Sequence, residues 1–551
     1  MGDGRMDGAG GDPQESAGTG VQGSGEHPWW KHGVIYQIYP RSYQDTNGDG
    51  VGDLPGIEAR LDYLAWLGVD ATWISPFYPS PMVDFGYDVT DHRGVDPRFG
   101  TLDDFDALVA AAHARGLRVI LDYIPNHTSD QHPWFAESRR SRDDPRRDWY
   151  IWRDPAPDGG VPNNWQSAFG GSAWTLDEAT GQYYLHSFLR EQPDLNWRNP
   201  RVEAEMLEVI RFWMERGVDG VRVDAVQKVI KDEALRDDPP NPDYRPGEDD
   251  PYDAYLRILS GDRPEVHEVI ARMRRVTDAY PDRVLIGEIY NAIERLMPYY
   301  GRDGGGCHFP YNFQLIKLPW DARTIDAAIR RYEALLPSGG WPNWVLGNHD
   351  RHRIASRVGP AQARVAAMLL LTLRGTPTLY YGDEIGMRDV PIPPERVQDP
   401  WEKNLPGQGL GRDPERTPMQ WDASPGAGFT TGEPWLPLGD FARINVEAQR
   451  GDPASLLSLH RRLIALRRAE PALSLGGWTP VDAEGDVLAY IRSGGGARFL
   501  VALNLGPAPA RLAGEWSGEI AVSTHPNADG RAVSGALELR GDEGLAVRLR
   551  A

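Results

Sequence analysis

The chain is punctuated by short β-branched runs, each feeding a helical stretch that ends at glycine, and this alternation limits the fold more than any other feature. Val34-Ile35-Tyr36-Gln37-Ile38 reads as a buried strand. The segment from Ile57 to Leu67 then carries apolar residues at helical spacing and stops at Gly68. Asp70–Ile74 and Arg118–Asp122 repeat the strand pattern around a helix predicted over Phe105–Ala114. The pattern recurs at Gly220–Val223, Val284–Gly287, His308–Asn312, Trp344–Gly347 and Pro377–Tyr380, with helices predicted over Val202–Arg216, Val266–Ala279 and Ala363–Leu373. Repeated strand–helix units require a parallel sheet. Eight of them over about 440 residues predict an α/β fold of the (β/α)₈ TIM-barrel kind. An open doubly wound sheet is the alternative, but no glycine-rich phosphate loop follows the first strand.

Two stretches break the alternation. Residues 126–200 are rich in Trp, Pro, Asp and Gly and predict a domain inserted after the third strand. From residue 471 onward, strands alternate with Gly/Pro turns, which predicts a C-terminal antiparallel β-sandwich. The barrel is thus expected over 28–125 and 201–470, with a long loop at 385–445. Residues 1–27 lack both the basic and the apolar segments of a signal peptide and read as a disordered tail.

Composition excludes several functions. A net charge of −21 argues against nucleic acid and against an anionic membrane surface, and no apolar run is long enough to span a bilayer. The single cysteine, Cys307, forbids an intrachain disulfide and suits a reducing, cytoplasmic setting. With no obvious activating partner other than His308, it reads as a packing residue. The 19 Trp and 22 Tyr serve large cores or platforms for sugar rings equally well.

Active-site residues of a TIM barrel lie at the C-terminal ends of its strands. Those positions hold Asp122 with Asn126 and His127, Arg222 with Asp224, Glu288, and Asn348-His349-Asp350. A lone Asp between strand and helix is often only a helix cap. Acidic groups at the ends of several strands, converging in one bowl, suggest hydrolysis of an acetal, which takes one carboxylate as nucleophile or base and another as acid. Arg222 and Asp224 share a strand face, so the guanidinium is expected to lower the Asp224 pKa and make it the nucleophile. Glu288, as the proton donor, should have a raised pKa. His127 and His349 lack the spacing of a helical zinc motif.

In Asp122-Tyr123-Ile124-Pro125-Asn126-His127, Gly220-Val221-Arg222-Val223-Asp224-Ala225, Gly287-Glu288-Ile289-Tyr290 and Val345-Leu346-Gly347-Asn348-His349-Asp350, the chain resembles the α-amylase superfamily of glycoside hydrolases. The resemblance is to its oligo-1,6-glucosidase, α-glucosidase and trehalose synthase branch, and it covers about His27 to Ala551. It implies Asp224 as nucleophile, Glu288 as acid/base and Asp350 as the group that favours the distorted sugar. It also implies substrate contacts from Asp88, Tyr87, His127, Phe169, Arg222, His349 and Arg353, with Tyr87 stacking on the glucose. In exo-acting members a carboxylate at the Asp88 position pairs with a late-loop arginine, here Arg412 or Arg416, and closes the pocket behind one sugar. Asp88 read simply as a loop cap is the alternative.

The resemblance further implies no cofactor for catalysis and a structural Ca²⁺ or Mg²⁺ held by Asp45, Asn47, Asp49, the Val51 carbonyl and Asp53. The alternating oxygen donors look like the start of an EF-hand loop, but the closing glutamate is absent, and a metal-free Asx-rich turn is the other reading. Alanine after the nucleophile, Ala225, goes with α-1,4 bonds in this branch. The expected activity is a retaining exo-α-glucosidase acting on maltose-like disaccharides, short oligosaccharides or aryl and alkyl glucosides. A transglucosidase or glucosyl isomerase of the trehalose synthase or sucrose isomerase type is the alternative. Non-catalytic transporter subunits of this fold usually carry a membrane span and degraded motifs, and this chain has neither. The unusually long segment 230–263 is expected to overhang the aglycone side.

Overall fold

The computed structural model describes residues 27–248 and 251–550. The tail expected at the N-terminus lies, but for His27, outside the described residues. Eight parallel strands run in the order β10-β11-β1-β2-β3-β7-β8-β9. They are β1 Ile35–Ile38, β2 Ala71–Ile74, β3 Arg118–Tyr123, β7 Gly220–Val223, β8 Val284–Glu288, β9 Phe309–Tyr311, β10 Asn343–Val345 and β11 Thr376–Tyr380. β9 and β10 lie side by side and nearly close the barrel. Seven of the eight strands are buried along their whole length, and only Arg118 at the start of β3 is not, as the β-branched runs require.

The barrel helices follow from local chemistry. Leu102–Ala114 starts in a capping box, in which Thr101 Oγ1 accepts from the Asp104 amide and the Asp104 carboxylate accepts from the Thr101 amide. Pro200–Glu215 starts with proline at its first position and with Asn199 accepting from the Arg201 amide. The helix expected over 57–67 is two, Leu54–Ala59 and Leu61–Leu67, broken at Arg60. The helix expected over 363–373 extends back to Ile354, but Gly359, at φ 79°, breaks it just before Pro360.

Between β3 and β7 a small antiparallel sheet is built from β4 Trp152–Arg153, β5 Trp174–Asp177 and β6 Gln182–Leu185, in the order β4-β6-β5. A buried ion pair fastens this excursion to the barrel: Lys231, in the segment after β7, lies 2.8 Å from Asp194 and donates to Asn126 at 2.7 Å. The C-terminal sheet has six antiparallel strands, β12 Gly477–Val481, β13 Val487–Gly494, β14 Ala497–Asn504, β15 Ala510–Ser523, β16 Ala532–Leu539 and β17 Gly544–Leu549. The pleat sends Leu488, Tyr490, Val501 and Leu503 into the barrel's core, and Val487, Ala489, Leu500 and Ala502 into a second core. Two bulges in the long β15 bend the sheet around that second core.

Arg467 joins the two bodies. It is 1% exposed and, among the described residues, makes no ion pair. Its guanidinium donates to the carbonyls of Leu371, Leu373 and Leu473 at 3.0–3.1 Å, and to Gly375. These carbonyls close the end of the 354–372 helix and the turn into β12. Arg467→Met would strand them in a dry interface, at a cost of roughly 1–3 kcal/mol for each unsatisfied group. The expected outcome is a lower Tm and faster thermal inactivation, with kcat/KM of the surviving fold unchanged, read by differential scanning calorimetry and residual-activity assays.

Candidate active site

Arg222 stands at the centre of the bowl formed by the strand ends and is fully buried. One amino group donates to Asp122 Oδ1 at 2.6 Å and to Asp224 Oδ1 at 2.9 Å, and the other faces Glu288 Oε1 as an ion pair. β3, β7 and β8 are hydrogen-bonded neighbours in register, Asp122 opposite Arg222 and Val223 opposite Gly287, so the carboxylates from three strand ends meet one cation. Asp224 and Glu288 thus face the same guanidinium from neighbouring strand ends and interact electrostatically. Glu288 Oε2 accepts from the Ala225 amide at 3.0 Å, and Ala225 is held at φ 41°, a left-handed conformation unusual for alanine.

Burial dominates the ionisation here. It raises the Asp224 pKa well above the usual carboxylate value, with Glu288 adding to the effect and Arg222 opposing it. Arg222 does pull the Asp224 pKa down as expected, but the net shift is upward: one guanidinium divided among three buried carboxylates does not offset their desolvation and mutual repulsion. Glu288 is raised as well, first by burial. The two carboxyls titrate as a pair that holds on to a proton. Burial, resisted by Arg222, also lifts Asp122 to about 6.

Asp350 behaves in the opposite way. Burial would raise it, but His349, Arg412, Arg416 and Arg222 together hold it below the usual range. Its Oδ1 accepts from Arg416 at 2.8 Å and from Arg412 at 3.2 Å. Behind it runs a hydrogen-bonded chain: Gln37 Nε2 meets His349 Nδ1 at 2.8 Å, His349 Nε2 meets the Tyr87 hydroxyl at 2.7 Å, and that hydroxyl donates to Asp122 at 3.1 Å. With the Gln37 amide as donor, His349 carries its proton on Nε2. Burial keeps His349 neutral, at about 3, and His127 neutral, at about 4.

The cavity above these groups is walled by Asp224, Glu288, Asp350, Tyr87, His127, Phe169 and Arg412. The Tyr87 ring lies parallel to the His349 imidazole and meets it edge to edge through the hydroxyl, with centroids 5.4 Å apart. Arg222, His349 and Arg416 are not on the wall; they fix the groups that are. Arg353 is not at the site at all. It is buried between Tyr380 and Tyr381 and donates to the Tyr381 carbonyl at 2.6 Å.

The closing ion pair also differs from expectation. Asp88 is wholly buried and spends its carboxylate on Ser80 Oγ and on the amides of Val83 and Asp84, at 2.8–3.0 Å. It is the loop cap, and the pairing expected of it with a late-loop arginine is absent. Asp84, four residues earlier, pairs with Arg412 at 2.7 Å, and Asp399 backs Arg412 at 2.6 Å. Sequence reasoning missed Asp84, Asp399 and Trp401, although Asp84 and Asp88 occur in the same short segment. Arg412 lies across the Phe169 and Trp401 rings, at 5.1 and 5.8 Å, and completes the closed end. The long segment after β7 reaches the cavity wall through Tyr252, Asp253, Arg257 and Asp262.

The loop expected to hold a metal lies away from the cavity. Asp45, Asn47 and Asp49 each accept from the amide two residues on, all at 2.9 Å, and the turns pass through Gly48 and Gly50 at positive φ. Asp45 also accepts from the Gly48 and Gly50 amides, and Asp53 caps the helix at Leu54–Ala59. Among the described residues no Lys or Arg pairs with Asp45, Asp49 or Asp53. The oxygen-only donor set with uncompensated carboxylates fits a hard divalent cation. Elsewhere, His352, Asp389 and Glu415 form one group of three possible ligands. Cys307 is buried, which pushes its thiol up to about 12 and leaves it unreactive.

A nearly closed parallel barrel with a carboxylate pair and a third, permanently ionised carboxylate at its C-terminal mouth is the architecture of a glycoside hydrolase. Residues 37–476 match the catalytic domain of α-amylase, and the chain belongs to that family. It is 43% identical over 491 residues to an α-glucosidase of Culex pipiens, covering 87% of this chain and 82% of that one. It is 39% identical over 513 residues to an oligo-1,6-glucosidase of Halalkalibacterium halodurans, covering 86% and 90%. Its fold matches an α-glucosyl transfer enzyme at a TM-score of 0.91 and 43% identity, covering 95% of this chain and 100% of that one. It also matches the trehalulose synthase of Pseudomonas mesoacidophila MX-45 at 0.88 and 36%, with the same coverage.

Arg412→Ala and Asp84→Asn should each open the closed end. Both are expected to raise KM for a short α-glucoside and to lower kcat/KM by about a hundredfold, the size of a lost buried charge-assisted contact. Asp88→Asn should instead lower Tm through its loop, with a smaller effect on KM. Steady-state kinetics beside thermal melts separates the two carboxylates.

Proposed function

We propose that the protein is a retaining, exo-acting α-glucosidase that removes the non-reducing glucose of short α-glucosides. The observation that carries this reading is the convergence of Asp224 and Glu288 on the one guanidinium of Arg222. Inverting enzymes hold their two carboxyls apart to admit a water, whereas a close pair suits double displacement. Asp224 attacks the anomeric carbon as its bond to the aglycone oxygen breaks, and Glu288 gives that oxygen its proton. Glu288 then takes a proton from water, which attacks the glucosyl-enzyme and frees Asp224. Asp350, kept ionised by two arginines, stabilises the oxocarbenium character of the sugar in the transition states of both steps. The wall of Asp84, Arg412, Phe169 and Trp401 blocks a second sugar on the glucose side, which supports exo action.

Ala225 supports a preference for α-1,4 bonds, because its small side chain leaves room on the cavity wall beside the proton donor. The single, buried cysteine supports a cytoplasmic setting, and no described helix is long and apolar enough to cross a membrane. Likeness to an α-glucosyl transfer enzyme and a trehalulose synthase favours glucosyl transfer as a second reading. Incubation with maltose, followed by NMR and chromatography, distinguishes them. Hydrolysis releases only glucose, while transfer accumulates isomers or longer oligosaccharides. With an aryl α-glucoside, whose leaving group is not a sugar, the first glucose released should be the α-anomer, and initial release of β-glucose would overturn the retaining mechanism.

Because the pair must carry one proton, kcat/KM should fall as pH rises through its raised pKa. Asp224→Ala should reduce turnover by about four orders of magnitude. Glu288→Ala should keep part of its activity on an aryl glucoside with a good leaving group, lose the alkaline limb of the pH profile, and form α-glucosyl azide when azide is supplied.

We also propose that the 45–53 loop holds a structural Ca²⁺ or Mg²⁺ through Asp45, Asn47, Asp49, the Val51 carbonyl and Asp53. The run of Asx turns with no cationic side chain beside it supports this. Chelation should lower Tm in the wild type and leave Asp49→Ala unaffected. Equal melting with and without chelator in the wild type excludes the ion.

A further inference from the structure

Glu288 is the group placed to protonate the leaving oxygen, so the cavity wall beyond it faces the aglycone. That wall is cationic, in a chain whose acidic residues outnumber the basic ones by 80 to 59. Lys317 and Arg351 stand over one ring, with Nζ and the guanidinium carbon 5.2 and 5.7 Å from the centroid of Tyr290, two residues after Glu288. Lys228 and Arg257 flank a second ring, 5.6 and 4.0 Å from the centroid of Tyr252. All four line the cavity.

Their counter-ions are mostly missing. Arg257 is paired with Asp253 at 2.8 Å. Asp262, the other acid on this wall, is engaged by Arg295 and Tyr299. Among the described residues Lys228, Lys317 and Arg351 have no ion pair. Desolvation in the cleft, followed by the Arg351 charge, pushes the Lys317 ammonium down to about 8 against the opposing pull of Asp253, which is itself paired with Arg257. Solvated surface lysines are common, but these stand on aromatic faces that orient them into a cavity. A neutral sugar would leave them uncompensated.

We propose that the aglycone side recognises an anionic group, a carboxylate or a phosphate ester, so that the preferred substrates are α-glucosides of hydroxy acids or of phosphorylated sugars. This deepens the glucosidase reading and rests on it. The glucose is still held by neutral histidines and by Asp350, while the leaving group's charge is met by Lys228, Lys317 and Arg351. The overall negative charge of the chain repels such a substrate at long range, but that field is screened within about 8 Å at physiological salt, and the local cations then decide.

Matched substrates test the proposal by their kcat/KM values. In the carboxylate arm, the α-glucoside of para-hydroxybenzoate is compared with the α-glucoside of its methyl ester. In the phosphate arm, maltose phosphorylated on its reducing glucose is compared with maltose. We expect the anionic member of at least one pair to be favoured by about tenfold at physiological ionic strength, equal to about 1.4 kcal/mol. The advantage should shrink in high salt and fall towards parity in Lys317→Gln, with Lys228→Gln as an independent second variant. The arm that responds identifies the source of the charge. Parity or an anionic penalty in both arms, or an advantage that survives both variants, overturns the proposal. If the neutral substrates are cleaved and no preference appears, the glucosidase reading stands and this inference alone fails. If no α-glucoside is cleaved, both fail.

Discussion

One buried guanidinium holds the site together. Arg222 has no exit to solvent, and Asp122, Asp224 and Glu288 all turn towards it. Such a cluster is costly to assemble, because each ion loses its hydration and one cation cannot neutralise three anions. The barrel makes it possible. Parallel strands in register bring the ends of β3, β7 and β8 to the same level, and the packed interior beneath keeps the side chains from relaxing outward. The strain at Ala225 belongs to the same arrangement, since that turn aims an amide at Glu288.

The strand pattern made the barrel legible, because period and polarity at strand ends are local properties. Asp122, Asp224 and Glu288 were legible for the same reason, each standing at the end of a buried run, and Asp350 follows the next-to-last barrel strand within five residues. The Asp84–Arg412 pair was not. Its partners are separated by 328 residues, and nothing local distinguishes Asp84 from Asp88. Their separation in role depends on which carboxylate the loop's own amides capture, and that is settled by the turn at 80–88 in three dimensions. Arg353 shows the reverse error. It lies just after Asp350 in sequence, yet it turns away beneath Tyr380 and Tyr381, because its amide is anchored to Asp389 at the start of a helix.

Electrostatic direction was also out of reach of the sequence. An arginine two residues from an aspartate suggests a lowered pKa, but the sign depends on how many other carboxylates share the arginine and how dry the site is. At Asp350, where two guanidiniums meet one carboxylate, the inference would have held. At Asp224, where one guanidinium meets three, it reverses.

The two sides of the cavity therefore carry opposite charge for one reason. Around the glucose, Arg222, Arg412 and Arg416 face Asp122, Asp224, Glu288, Asp350, Asp84 and Asp399, and even with a proton on the Asp224–Glu288 pair the carboxylates are in excess. That excess is unfavourable with a neutral sugar bound and becomes favourable as positive charge develops on the ring, so the same field that makes the empty site costly lowers the barrier. It would also repel any anion close to it. A leaving group bearing a carboxylate or phosphate can approach such a site only if cations shield it on the far side of Glu288. Lys317 and Arg351, on the ring of Tyr290, stand where that shield is needed.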